Sequence, residues 1–76
     1  MAMEIDVQRL QLGDVILIDL PDQGTNIEAT VVRDPEVLRD SERSKSTVRA
    51  MLRVPSRDDF MMEWPLDAKV TNVRGP

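Results

Sequence analysis

The sequence predicts an all-β fold, a small antiparallel barrel or strongly bent sheet. Apolar residues recur with a period of two in several short segments, and clusters of Gly, Pro and Asp punctuate them at close spacing. A chain of 76 residues adds a bound: it fits one small domain, which hides only about 60% of the surface its unfolded chain exposes. The expected division is a disordered tail over residues 1–6 followed by a single small β-barrel domain over 7–74.

Each element follows from local chemistry. Val7, Leu10 and Leu12 lead to the turn signal Gly13-Asp14, directly before Val15–Leu20, whose β-branched and aliphatic residues read as strand one. Pro21-Asp22-Gln23-Gly24 is a turn, because proline pre-sets φ and glycine accepts positive φ. Strand two covers residues 27–33, with Ile27, Ala29 and Val31 on one face. Asp34-Pro35-Glu36 has helix-opening character, yet apolar content stops at Leu38 and residues 39–47 contain no hydrophobic side chain. Residues 35–47 are therefore expected to be a long mobile loop between strands two and three.

Strand three, residues 48–54, alternates Val48, Ala50, Leu52 and Val54 with Arg49, Met51 and Arg53. Pro55-Ser56-Arg57-Asp58-Asp59 closes it. Residues 60–64 form strand four, ended by Pro65, which cannot donate to a ladder. A tight turn over residues 65–68 precedes strand five, residues 69–74. The predicted core is Ile16, Ile18, Leu20, Ile27, Ala29, Val31, Val48, Ala50, Leu52, Val54, Phe60, Met62, Trp64 and Leu66. The alternative is an α+β fold in which residues 35–43 form a helix across an open sheet.

With Leu10-Gln11-Leu12-Gly13-Asp14 before strand one, hairpin-linked strands, and a short turn before the last strand, the layout resembles small SH3-like barrels. Its opening is similar to the KOW-type first hairpin of translation and transcription factors, where a Gly-Asp pair precedes an aliphatic strand and a glycine follows in the loop. Gly13, Asp14 and Gly24 match. The loop here carries Asp19 and Asp22 where KOW loops are generally basic, and it lacks their further glycine before strand two. The resemblance covers most of the chain at the level of architecture. It implies a five-stranded antiparallel SH3-like barrel and, through KOW, an RNA-binding role.

Composition narrows the chemistry. Without His or Cys there is no imidazole acid–base catalysis, no Ser-His-Asp or Cys-His triad, no disulfide and no thiolate metal site. The adjacent pair Asp58-Asp59 lies in a predicted turn, Asp14 suits a local side-chain-to-backbone bond, and Asp19 with Asp22 lacks the ligand density of a hard-cation site. No phosphate-cradling glycine motif occurs among the three glycines. The expectation is a non-enzymatic domain with no catalytic residue, metal or cofactor. Val15-Ile16-Leu17-Ile18 is the longest apolar run, far short of the ~20 residues a spanning helix needs, and no signal-peptide pattern opens the chain. A cytoplasmic protein without membrane contact is expected.

Charge is unevenly placed. Residues 1–42 carry ten acids against three arginines, whereas residues 43–57 carry five bases and no acid: Arg43, Lys45, Arg49, Arg53 and Arg57. This stripe is either a solvated face balanced by nearby acids or a phosphate-binding edge. Ser41, Ser44, Ser46 and Thr47 stand among its bases, within the preference of a basophilic kinase.

The alternation that buries Ile16, Ile18 and Leu20 turns Val15, Leu17, Val32, Met51 and Met61 outward. Outer faces of half-buried strands are normally polar. Either the N-terminal segment or the long loop covers these side chains through Val7, Leu10, Val37 or Leu38, or they form a partner surface with Arg49 and Arg53 as its charged rim. The functional expectation is a protein-interaction module binding another protein or a second copy of itself. The alternative is nucleic-acid binding through the basic stripe.

Overall fold

A computed structural model describes residues 3–40 and 45–73. Seven strands form one antiparallel sheet: β1 (Met3–Asp6), β2 (Val15–Leu20), β3 (Gly24–Val31), β4 (Glu36–Asp40), β5 (Lys45–Val54), β6 (Arg57–Pro65) and β7 (Lys69–Asn72). A single 3₁₀ turn, Val7–Arg9, is the one helical element among the described residues. The sheet runs β1–β7–β2–β3–β5–β4, with β6 on the other edge of β5, and curls into a half-barrel.

β5 is the strand on which the curl is assembled. One edge pairs with β6, from Thr47↔Pro65 to Val54↔Arg57. The opposite edge is shared: β3 holds its C-terminal half through Thr30↔Arg53 and Val31↔Leu52, and β4 holds its N-terminal half from Glu36↔Arg49 to Asp40↔Lys45. β3 and β4 are thus two parts of one path along β5. The path breaks over residues 32–35, where Val32 N–H still reaches the Met51 carbonyl (3.0 Å) and Pro35 has no N–H to give.

Two expectations are corrected by this pairing. Much of the expected loop over residues 35–47 is an antiparallel arm, β4 against the start of β5, and the expected tail over residues 1–6 contains β1, paired with β7 from Met3↔Asn72 to Asp6↔Lys69. The sheet therefore has two strands more than the five read from the pattern. Both additions are mostly exposed: Met3 and Val37 are open to solvent, and only Ile5 of β1 packs on the core. Their ladders rest mainly on backbone hydrogen bonds, so β4 has no apolar period to read and β1 only the short pair Met3 and Ile5.

The turns are held by the residues that announced them. Gly13 has φ +93°, and its N–H donates to the Val31 carbonyl while Val31 N–H donates to the Asp14 carbonyl, both at 2.8 Å. The buried Asp14 carboxylate accepts the Gln11 N–H at 3.0 Å, fixing the entrance of β2 against the end of β3. In the β2–β3 hairpin Gly24 has φ +112°, and Asp19 Oδ1 accepts the Asn26 N–H at 3.1 Å. Asp19 is thereby occupied in closing a turn. Ala68 N–H to the Pro65 carbonyl (3.0 Å) makes the tight turn before β7.

The concave face is the core. Ile16, Ile18 and Leu20 of β2, Ala29 and Val31 of β3, and Val48, Ala50, Leu52 and Val54 of β5 are buried in one cluster, and each large side chain there contributes ~1.5–3 kcal/mol by leaving water. Val7 and Leu10 fold in from the N-terminal side, seated by Val7 N–H on the Ala68 carbonyl (3.0 Å) and Gln8 Nε2 on the Leu66 carbonyl (3.0 Å). Ile27, Phe60, Met62, Trp64 and Leu66 are only partly buried against this cluster.

Leu52 is fully buried, whereas Leu12 is 55% exposed. Leu52→Ala is expected to lower unfolding free energy in urea by ~2–5 kcal/mol, with Leu12→Ala close to wild type. Equal effects at the two positions would contradict this placement of the core.

Candidate interaction surface

On the convex face of the β5–β6 ladder the outward residues fall into rows. Met51 and Met61 are register partners, and Val32 joins them through its hydrogen bond to the Met51 carbonyl. Met61 is 48% exposed; Met51 and Val32 are half-buried. Two residues along β5 on one side, Arg49 faces Glu63, its Nε and Nη2 lying 3.4 and 3.3 Å from Oε1. Two residues along on the other side, Arg53 meets Asp59 in a bidentate fork, Nε to Oδ1 at 2.9 Å and Nη2 to Oδ2 at 3.0 Å. A short apolar row thus lies between two cross-strand ion pairs.

Of the residues expected to form one outer patch, the structure brings Val32, Met51, Met61, Arg49 and Arg53 together. Val15 does not join: it shares a row with Thr30 and Arg53 but is only 6% exposed, so it offers a partner almost no area. Leu17 stands apart, because its register neighbours are Glu28 and Thr71. It is two strands and four residues away from the Met51 row, about 10 Å across and ~13 Å along the sheet. Strand alternation gives the face a side chain points to but not its row.

The basic stripe is largely answered by acids. Arg49 and Arg53 are paired as above, and Arg57 lies 3.9 Å from the Asp22 carboxylate with its guanidinium 4.7 Å above the Phe60 ring. Arg43 and the Lys45 side chain lie outside the described residues, as do Ser41 and Ser44. Ser46 and Thr47 are half-buried in β5. Among the described residues no three acidic side chains converge as a metal site, and no helix is long and apolar enough to cross a membrane.

Among the described residues, the Arg53–Asp59 fork carries the one electrostatic perturbation that stands out. Its hydrogen bond, more than the charge attraction, holds the Asp59 carboxyl below the usual carboxylate range and raises Arg53 in turn. Both groups face solvent, so the contribution to stability is small and screened by salt. Its main effect is to fix the long Arg53 side chain beside the Met51 row.

Reading the sequence placed Trp64 inside and missed that it reaches the surface. At the end of the β5–β6 ladder an open groove of about 670 Å³ is lined by Ser46, Thr47, Trp64, Pro65, Leu66 and Asp67. A smaller depression, about 370 Å³, opens where β2 and β7 diverge and is floored by Met62 and Trp64.

Comparison with protein-family models, with curated proteins and with solved structures finds no match to this chain. Its own geometry is what bears on function.

The fork makes a pH prediction. A carboxylate whose folded pKa is depressed adds stability above its unfolded pKa and loses it as pH falls through the folded value. Followed by NMR, Asp59 is expected to titrate below the ordinary carboxylate range and to return to it in Arg53→Gln. A midpoint unmoved by that substitution would remove the fork from the account.

Proposed function

We propose that this domain is a non-enzymatic protein-interaction module whose contact row is Val32, Met51 and Met61, with Arg49 and Arg53 as its rim. The observation that carries the reading is Met61, 48% exposed on the outer face of the edge strand β6, in register with Met51 and bracketed by two ion pairs. An apolar centre with a polar rim is the anatomy of a protein contact, and unbranched thioethers adapt to varied partner shapes. The ion pairs keep both guanidiniums oriented while leaving them able to meet a partner's acceptors.

Kinship with small SH3-like barrels is part of the proposal. In its favour, short turns join β2 to β3, β5 to β6 and β6 to β7, and the last strand returns beside β2. Gly13-Asp14 and Gly24 flank β2 as they do in a KOW-type hairpin. The RNA-binding role that likeness implies has less support, because Arg49, Arg53 and Arg57 each face a carboxylate and Phe60 and Trp64 are partly buried rather than free stacking platforms.

Panning a displayed library of random peptides on the folded domain is expected to enrich binders that Met51→Ser/Met61→Ser holds at least about tenfold more weakly, with thermal unfolding little changed. Binders insensitive to the substitutions would overturn the outer-face reading. A steeply salt-dependent gel shift with generic RNA or DNA would do so in favour of nucleic acid.

A further inference from the structure

β6 is the long free edge of the sheet. Its nine residues pair with β5 on one side, and no strand among the described residues pairs with the other. Such an edge is a template for another strand unless charge or proline blunts it. Here Arg57, Asp58, Asp59, Glu63 and Pro65 occupy the ends, while Phe60-Met61-Met62 in the middle carries no charge. On the concave side Phe60, Met62 and Trp64 all pack on the core yet stay partly exposed, so the core is open along this strand.

We propose that two copies of the chain pair antiparallel along β6, with the two-fold axis at Met62, joining the two concave faces. The sequence selects the partner and the register. With the axis at Met61, Asp59 would stand opposite the partner's Glu63 twice, a like-charge pairing. With the axis at Phe60, Arg57 would face the partner's Glu63 on the solvent side, where an ion pair is worth little, but Met62 would face the partner's Asp58 over the core, where a carboxylate is costly. With the axis at Met62, Phe60 faces the partner's Trp64 and Met62 faces the partner's Met62. Each apolar inner residue of β6 then meets an apolar one, and within the paired stretch, residues 59–65, no charge meets its like. The two acids within the paired stretch, Asp59 and Glu63, are already held by Arg53 and Arg49.

This contact is edge-on and made by backbone ladder and inner-face side chains, so it is independent of the outer-face reading. In the joined sheet Met61 becomes a diagonal neighbour of the partner's Met61, about 7–8 Å away, and the two outer rows run together.

The chain has no cysteine, which makes disulfide mapping clean. In Met62→Cys the two thiols would lie directly opposite, within disulfide reach, whereas in Phe60→Cys they would be four residues apart, about 13 Å. Sedimentation equilibrium of the wild-type protein is expected to show a reversible doubling of mass with concentration, retained in Met51→Ser. Mild oxidation is expected to give a covalent dimer from Met62→Cys and little from Phe60→Cys. Single-chain mass at every concentration, or faster cross-linking through residue 60 than 62, would overturn the proposal.

Discussion

A strand paired on both edges and buried on one face has no freedom left in register. β5 is held in that way: β6 along one edge, β3 and β4 along the other, and Val48, Ala50, Leu52 and Val54 all closed to solvent beneath it. A slip of one residue would turn Arg49, Met51 and Arg53 into the core, and the desolvation of two guanidiniums forbids it. The strands on either side inherit their register from this lock. The irregularities between Ile18 and Leu20 and between Leu52 and Val54 add twist at two hairpins, and a sheet that twists while one face is apolar curls around that face.

The same lock arranges the convex face. Because alternate residues of β5 must point out, Arg49, Met51 and Arg53 form a fixed outward series, and β6 supplies the complement, Glu63, Met61 and Asp59. Three bases of the stretch after residue 42, Arg49, Arg53 and Arg57, are thereby set against acids contributed by β6 and by the β2–β3 turn, where Asp22 approaches Arg57. Exposed ion pairs of this kind add little stability. Their consequence is local order around Met51 and Met61, which leaves a small apolar row presented by a rigid element rather than by a loop.

Where burial and backbone chemistry agree, the fold was legible in the sequence. Ile16, Ile18 and Leu20, Ala29 and Val31, and the inner row of β5 are in the core as their alternation predicts, and Gly13-Asp14 and residues 65–68 make the predicted turns. β1 and β4 were not legible. Glu36–Asp40 carries no alternating apolar face, and the alternation of Met3 and Ile5 in β1 has only two apolar residues, too short to stand out as a strand. The candidate surface was legible in part. Met51, Met61, Arg49 and Arg53 meet because they share the β5–β6 ladder. Leu17 separates from them because register across β3 is a tertiary property that alternation within one strand does not encode, and Val15, although in the Arg53 row, is buried.

β5, held on both edges, is the element that opens last. Native-state hydrogen exchange, read residue by residue, tests that directly. Amides within residues 48–54 are expected to exchange slowest, at the rate of global unfolding, while those of β1 exchange well before them. Exchange of residues 48–54 as fast as β1, or ahead of β2, would contradict a fold organised around β5.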